Sequence, residues 1–448
     1  MRRNSLTPRD RQTMAFFIAA QDMPLELTQR RKKLRRHVFD HPCVKSKSPM
    51  NKQAVRAATM ATFAVFAING FVFASWAARI PAVTRILDLT SGEMGLLLLT
   101  IAAGSVIALP MAGTVVGRIG TANTIRVGGF TVAVGGLIVA IALAQHSVLL
   151  TGIGLFFFGI GIGLWDVAQN IEGADVERHR GKTIMPQFHG GFSGGALLGA
   201  LVGAGLSALD VSMSAHLFVI VIGVSISMVF VPRYFLPETA NSDSQQTQAT
   251  TALKGRSAWT EKRTLLVGLV VLGAALTEGA ANDWIAKAAV DGLGSSEAQG
   301  AIMFAVFVAS MTLFRFFGGR LIDQFGRVPV LYGSLGSALL GLVIFVLAPN
   351  MLLAGMGAVL WGAGAAMGFP MGMSAAADDP ARAAVRVSVV STIGYVAFLA
   401  GPPLLGFLGD HVTIRWALLA IAVAIVASIL TAPAAKPLPE SEFEKASN

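Results

Sequence analysis

From residue 55 to residue 432 the sequence is a series of apolar stretches, separated by short polar segments. Each stretch is near the length of about 20 residues that a helix needs to cross a bilayer core about 30 Å thick. The stretches are too long and too continuous for the alternating strands of a membrane barrel. The sequence therefore predicts an all-α membrane protein. The twelve predicted spans cover residues 55–78, 93–112, 125–144, 147–170, 188–208, 213–235, 264–286, 298–318, 329–347, 351–373, 386–408 and 413–432.

The net charge of +10 lies in the amino-terminal tail. Residues 1–56 hold fourteen Lys and Arg and four acidic residues, and the remaining 392 residues hold twenty-one of each sign. The body of the chain is neutral, so we expect the lipid bilayer, and not nucleic acid, as its large-scale partner. Residues 1–54 are predicted to be a basic, disordered cytoplasmic tail. Its segment QRRKKLRRH could bind anionic headgroups, or translation could begin later, at Met50 or Met60.

Lys and Arg in the connections predict how the chain is oriented. With a cytoplasmic amino terminus, the inner connections and carboxyl tail beyond residue 56 carry sixteen of these residues, and the outer connections carry four. The positive-inside rule then places both termini in the cytoplasm. The one cysteine, Cys43, cannot form an intramolecular disulfide or a cysteine-based metal site. No cofactor is expected, and no phosphate loop or nucleophile motif indicates an enzyme.

A long polar segment divides the spans into six and six. Residues 236–263 form the predicted cytoplasmic linker between bundles at 55–235 and 264–432, and residues 433–448 form a carboxyl tail. The two bundles resemble each other in sequence, with an offset of 205 to 206 residues. The matching segments are SGEMG (91–95) with SEAQG (296–300), and GTVVGRIG (113–120) with GRLIDQFG (319–326). Parallel repeats of this kind predict a transporter with its solute site between the halves.

The segment GGRLIDQFGR resembles the loop signature of the major facilitator superfamily, with Gly319, Asp323, Gly326 and Arg327 at its defining positions. The first-half copy has Gly117 in place of the acid. Further segments resemble a branch of MosC-type, rhizopine-associated membrane proteins and YbjJ-like proteins of the bacterial inner membrane. These segments are SWAARIPAV (75–83), DVAQNIEGADVER (166–178), FHGGFSGG (188–195) and EGAANDW (278–284).

The resemblance implies a cavity lined by spans 1, 4, 7 and 10. It also implies a gate in which Asp323 faces the start of span 5, near residues 186–189, when the cytoplasmic side is shut. A helix start has unpaired N–H groups and a partial positive charge, so this contact is physically reasonable. A plain turn at Gly326 is the alternative. Span 5 lacks the Gly-Pro signature of drug antiporters in this superfamily, which weakens export as a function.

Glu278 is predicted to lie inside the membrane, about 21 Å along span 7. An intramembrane carboxylate is costly unless it is paired, hydrated or protonated, so Glu278 is the leading candidate for proton coupling. The alternative is a structural acid bonded to a neighbouring Ser or Thr. Asp283, one turn further out, is a second proton-coupling candidate, although we expect it near the exterior surface.

Span 1 supplies candidate solute-binding residues. Asn69 lies at the depth of Glu278 and offers two donors and an acceptor to a hydroxylated solute. Trp76 and Trp284 could form flat walls against a sugar ring, or they could be interfacial anchors. Arg79 could be a positive lip at the outer end, or a solvated loop residue.

Asp166 and Asn170 lie four residues apart, on one face of span 4. Asp166 is a proton-coupling candidate, although its predicted position near the cytoplasmic end favours a structural pair with Arg178 or Arg180. Arg315 is expected to extend to the cytoplasmic surface. His189 is expected to be a cap or core residue.

The sequence predicts a secondary transporter of a small polar solute, most simply a proton-coupled uptake carrier for a sugar- or cyclitol-like compound. The resemblance adds a rhizopine-type inosamine as a candidate solute. Efflux of a metabolite or drug, and a membrane sensor that binds without transporting, are the alternatives.

Overall fold

A computed structural model describes residues 52–182, 184–237, 258–379 and 382–438. The predicted amino-terminal tail, most of the linker and the last ten residues lie outside these ranges. Within them the chain forms helices and no strand. The helices are α1 (Lys52–Ala77), α2 (Ile80–Ile86), α3 (Ser91–Ala144), α4 (Val148–Arg180), α5 (Met185–Ala208), α6 (Met213–Phe230), α7 (Lys262–Leu293), α8 (Glu297–Phe325), α9 (Arg327–Leu347), α10 (Met351–Ala376), α11 (Ala383–Val412), α12 (Ile414–Ala417) and α13 (Ala420–Thr431).

The predicted twelve spans are confirmed once the length of α3 is considered. Eleven helices of the described residues are long and apolar enough to cross a membrane, and one of them, α3, has 54 residues. At 1.5 Å per residue α3 would measure about 80 Å, more than twice the thickness of a bilayer core. Its backbone breaks at Gly120, where φ is 79° and ψ is 167°. The helical segments before and after Gly120 are therefore two separate spans.

Large apolar side chains cover the outward faces of the helices. Examples are Phe218 and Val219 on α6, and Val423 and Leu430 on α13, all at least half exposed. Such continuous apolar surface is far more than a soluble monomer presents. The fold therefore has the surface of a multi-pass membrane protein.

Local geometry repeats between the two bundles at an offset of 206 residues. Thr90 caps α3 in a reciprocal capping box with Glu93, and Ser296 caps α8 in the same way with Gln299. Gly120 has its counterpart in Gly326, with φ 83° and ψ 163°. Only glycine adopts this region of φ and ψ readily. Because two independent features, the capping box and the glycine turn, recur at the same offset, the halves are structural repeats of one another.

Helices α1 and α5 pack backbone against backbone through glycine. A Cβ atom added at Gly195 would overlap the carbonyl oxygen of Ala67, and one added at Gly70 would overlap that of Phe192. Small residues allow membrane helices to approach this closely. By contrast, a Cβ atom at the neighbouring Gly194 would meet nothing within 4 Å.

This difference predicts opposite outcomes for two adjacent substitutions. Gly195→Ala should destabilise the protein by about 1–3 kcal/mol, because overpacking forces α1 and α5 apart. Gly194→Ala should leave stability unchanged or slightly raised, because alanine favours helix. Thermal unfolding of the purified variants, followed by size-exclusion chromatography, measures both. Equal melting temperatures for the two variants would contradict the proposed close packing.

Candidate functional site

A cavity of about 380 Å³ lies between the two bundles. The first bundle lines it with Leu109 of α3 and with one face of α4, and the second lines it with Tyr395 of α11. From Asp166 the lining continues to Arg178, close to the end of α4. The cavity therefore extends about 18 Å along α4 toward the face that carries Lys52 and Lys436. We call this face the terminal face, and the other the opposite face.

Asp166 lies in the interior of α4. The helix continues to Arg180, fourteen residues past Asp166, so Asp166 is about 21 Å from its end. Its Oδ1 atom accepts hydrogen bonds from Gln169 Nε2 at 3.0 Å and from Asn170 Nδ2 at 3.4 Å. The expected pair with Arg178 or Arg180 is wrong. Arg178 contacts Asp175 instead, and the described residues contain no ion pair of Asp166.

Two buried amide side chains have unsatisfied polar atoms. Neither the oxygen nor the nitrogen of the Asn69 amide has a hydrogen-bond partner among the described residues, and Gln169 Oε1 has none either. Both side chains are about 1% exposed. Neither residue lines the cavity, although Gln169 is bonded to Asp166, which does. Buried polar atoms nearly always have a partner in a native protein, so these unsatisfied amides are suited to bind a polar solute or water.

The two tryptophans of the sequence prediction are buried inside the bundles. Trp76 is 3% exposed and Trp284 is fully buried, so the interfacial-anchor alternative is wrong for both. Neither is among the residues that line the cavity. Both indole Nε1 atoms lack a hydrogen-bond partner within the described part of the chain.

Glu278 forms an ion pair with Arg315. Arg315 Nη2 donates to Glu278 Oε2 at 2.7 Å, joining α7 to α8, and Arg315 Nε donates to the Ala366 carbonyl at 3.3 Å. The prediction that Arg315 extends to the surface is wrong, because its guanidinium is held between helices by Glu278 and the Ala366 carbonyl. The structural alternative, a bond from Glu278 to a Ser or Thr, does not occur within the described residues. An acid and its counter-ion thus lie together at membrane depth.

The ion pair lies next to the interface where α8 of the second bundle meets α5 of the first. The ring of His189 on α5 packs edge-on against Phe66 of α1, with centroids 5.2 Å apart. Next to them, Gly190 of α5 lies against the ring of Phe316. A change in the Glu278–Arg315 pair would therefore alter the contact between α8 of the second bundle and α5 of the first.

Asp283 lies five residues beyond Glu278 on α7 and ten residues before the helix ends at Leu293. It is half-buried, and no hydrogen bond or ion pair of its carboxylate occurs in the described ranges. Its expected position near the exterior surface stays a prediction.

Arg79 is a buried cross-link within the first bundle. It is 3% exposed, and its Nη2 atom donates to the Val211 carbonyl at 2.9 Å, joining the α1–α2 corner to the α5–α6 connection. The solvated-loop alternative is wrong. Burial lowers the pKa of Arg79, since desolvation disfavours its charged form.

The four signature residues surround the connection between α8 and α9. Asp323 is exposed and has no hydrogen-bond or ion-pair partner in the part of the chain described, and Gly319 faces open space. Gly326 provides the turn, with φ 83°. Arg327 holds Asp378, two residues past the end of α10, with two hydrogen bonds of 2.9 and 3.0 Å. Arg263 of α7 donates to the same carboxylate at 2.7 Å.

The first bundle contains a counterpart of this carboxylate site, which the sequence analysis missed. Thr121, 206 residues before Arg327, donates to Glu172, which is 206 residues before Asp378, at 2.7 Å. Glu172 also accepts from the Leu236 backbone N–H at 2.9 Å. The repeat offset applied to Arg327 and Asp378 would have found both residues.

At the opposite face the two bundles close against each other. The Asp410 carboxylate of α11 accepts from the Gly92 N–H at 3.0 Å and from Thr90 Oγ1 at 3.1 Å, at the amino end of α3. Arg85 pairs with Glu297 at 2.7 Å. The cavity thus opens toward the terminal face, while contacts between the bundles seal the opposite face.

Two repeated six-helix bundles with a cavity between them define a membrane transporter fold. The sequence model of the Major Facilitator Superfamily matches residues 267–447. An uncharacterized transporter, y4wD, of Sinorhizobium fredii is 31% identical over 372 residues, which is 82% of this chain and 96% of the relative. This chain belongs to the major facilitator superfamily, so it is a transporter and not an enzyme.

Two further comparisons support the expected branch and fold. The membrane protein MosC of Rhizobium meliloti is 26% identical over 365 residues, covering 81% of this chain and 86% of MosC. The crystal structure of the nucleoside transporter NupG superposes with a TM-score of 0.68 at 14% identity, covering 84% of this chain and 98% of NupG. The resemblance to MosC-type proteins is confirmed.

Proposed function

We propose that this protein takes up a small polar solute, sugar- or cyclitol-like, by alternating access coupled to protons. The observation that carries the proposal is the cavity between the bundles, which reaches the terminal face while the opposite face is sealed. A secondary transporter needs one site that is reached from either side in turn, with the bundles rocking around it. The positive-inside count makes the terminal face cytoplasmic, in a bacterial inner membrane.

The unsatisfied amides support a solute with several hydroxyl groups. Asn69 and Gln169 together can donate to and accept from such a solute without competing for existing bonds. NupG, which shares the fold, is a nucleoside transporter, and nucleosides carry hydroxyl groups on a ribose ring. Within the MosC-type branch, a rhizopine-type inosamine is the named candidate. Trp76, Arg79 and Trp284 then act behind the site, as buried supports of its walls.

Glu278 is the proposed proton carrier. Protonation of Glu278 would remove its charge, break the pair with Arg315 and leave the guanidinium free. Phe316, next to Arg315 in the chain, lies against Gly190 of the other bundle, so a change at Arg315 can bias how the bundles meet. Asp283, on the same helix, is a second acid through which the proton could pass.

Asp323 is the proposed latch of the terminal face. Its exposure agrees with an open terminal face, and closure would bring it to the start of α5, at residues 186–189. There its carboxylate would accept from unpaired N–H groups at the positive end of the helix dipole. Gly319 and Gly326 leave room for this approach, and Arg327 holds α9 to α10 beside it.

The test begins with a thermal-shift screen of purified protein against sugars, cyclitols and their amines. A ligand at a hundred times its dissociation constant stabilises the folded protein by about 2.7 kcal/mol. The stabilising solute is then offered, radiolabelled, to proteoliposomes with and without an imposed proton gradient. Accumulation that requires the gradient is the expected result. Accumulation independent of the gradient would contradict proton coupling, and movement only outward would indicate efflux.

A further inference from the structure

We propose that Asp166 and Tyr395 form a subsite for a cationic group of the solute, a protonated amine, in the cavity between the bundles. The proposal rests on the proposed transport function and narrows its substrate class. It gives Asp166 the role of counter-ion to the solute, in place of the proton-coupling role that the sequence suggested.

The charged residues that line the cavity favour the binding of a cation. Asp166 is the one carboxylate among the eight residues that line the cavity. The one cation among them, Arg178, already contacts Asp175 and lies at the exposed mouth. The inner part of the cavity therefore contains a carboxylate and no cation among its lining residues, in a volume typical of small-molecule sites.

The carboxylate of Asp166 has capacity left for a ligand. Both hydrogen bonds it receives, from Gln169 and Asn170, end on Oδ1. In the described part of the chain, Oδ2 has no hydrogen-bond partner, and no Lys or Arg pairs with the carboxylate. An ionised acid at membrane depth is stable only with a partner or with water. An ammonium group would supply the missing charge and donate to Oδ2.

The remaining lining favours an organic cation over a metal ion. Leu109, Val167, Ile171 and Ala174 are apolar, and they suit the carbon skeleton of a solute. Hard metal ions need several oxygen ligands, whereas the described residues contain no cluster of three or more acidic, His or Cys side chains that could hold a metal.

Tyr395 completes the subsite from the other bundle. Its ring lines the cavity that Asp166 also lines, and the side chain is 41% exposed. A cation over an aromatic face is attracted to the ring, more strongly the further it is desolvated. Because α4 and α11 belong to different bundles, a cation held between these residues would link the bundles and favour their closure.

The experiment compares amines with neutral solutes of the same shape. Glucosamine is paired with glucose, and scyllo-inosamine with scyllo-inositol, and binding to the purified full-length protein is measured by titration calorimetry. The wild-type protein should bind at least one amine about tenfold or more tightly than its neutral partner, since hydrogen bonds to charged groups are the stronger ones. Binding of neither amine, or equal affinity for amine and neutral partner, would overturn the proposal.

Four variants test which residues produce the preference for the amine. Asp166→Asn should remove it, bringing both members of a pair to similar affinity. Tyr395→Phe should keep the preference, and Tyr395→Leu should weaken amine binding several-fold, because only the phenyl ring retains the aromatic face. Asp175→Asn is the control, an acid on the same helix that contacts Arg178, and it should leave the preference intact.

The outcomes separate this proposal from the transport function. An amine preference that survives in Asp166→Asn overturns the subsite. If Asp166→Asn fails to fold, an undiminished preference in Tyr395→Leu overturns it independently. Amine preference without any transport would leave the subsite standing and overturn the proposed function, because binding is measured in detergent without a membrane.

Discussion

Glu278→Gln is expected to abolish accumulation against a gradient while solute exchange continues. A carrier that couples one proton to one solute accumulates it about tenfold for each unit of pH difference, with the membrane potential held at zero. Glutamine cannot carry the proton, so the accumulation ratio should fall to about one. Exchange needs no net proton release and should persist. Radiolabelled uptake and exchange in the same proteoliposomes measure both quantities.

Two further variants control for charge and for stability. Asp291→Asn removes another carboxylate of α7, one that pairs with Lys287 at 2.7 Å near the helix end, and it should accumulate solute like the wild type. Glu278→Gln combined with Arg315→Gln removes both charges, so no unpaired guanidinium remains at membrane depth. The double variant should fold better than Glu278→Gln alone and still fail to accumulate. Normal gradient-driven accumulation by Glu278→Gln would exclude Glu278 as the proton carrier.

Asp378→Asn is expected to destabilise the protein more than any other single loss of an acid at the terminal face. Its carboxylate holds Arg327 and Arg263 together and is itself 11% exposed. Without the charge, two guanidinium groups remain close together with no counter-ion. Breaking a buried pair costs about 3 kcal/mol or more, and we expect about 3 kcal/mol because Arg263 keeps a quarter of its side chain exposed. Thermal unfolding in detergent measures the loss.

Asp323→Asn is the matched comparison, an acid of the same connection that is exposed and has no partner among the described residues. It should unfold at the wild-type temperature and yet transport more slowly, since its proposed contact forms only when the terminal face closes. If Asp323→Asn transports as fast as the wild type at equal expression, Asp323 has no gating role and the signature only forms a turn. A melting temperature of Asp378→Asn equal to that of the wild type would contradict the structural role of Asp378.

The membrane fold could be predicted from sequence because it follows from apolar length and from repetition. Helices that cross a bilayer must satisfy their backbone internally, so a stretch of about 20 apolar residues has few alternatives. Gly120 and Gly326 mark the same turn in both halves, because their backbone conformation is open mainly to glycine. The repeated segments therefore predict the division into two bundles without any knowledge of contacts between helices.

The partners of individual charges were misjudged for a common physical reason. Asp166 was expected to pair with Arg178 or Arg180, and Arg315 to extend to the cytoplasmic surface, whereas Asp166 accepts from Gln169 and Arg315 pairs with Glu278. A helix inside a bundle tolerates polar residues where it lines a cavity or meets a partner. Which partner is met depends on the packing of neighbouring helices, and spacing along one span does not show that packing.

Contacts between side chains of different helices could not be predicted from the sequence either. Nothing in the spacing of Glu278 and Arg315 shows that α7 and α8 bring them to 2.7 Å. The Thr121–Glu172 bond was accessible in principle, because the repeat offset maps it onto Arg327 and Asp378. A residue pair known in one half thus predicts its counterpart in the other half. The first such pair has to come from the structure.

Counterflow tests the central claim, that this protein is a carrier with one site reached alternately from each side. Proteoliposomes are loaded with the unlabelled solute that gives the largest thermal shift and are diluted into a trace of the same labelled solute, with no ion gradient. A carrier should accumulate label transiently above the equilibrium level, because unlabelled solute leaving the vesicles returns the site to the outside loaded with label. Binding of the solute without this transient accumulation would contradict the claim and would indicate a membrane sensor.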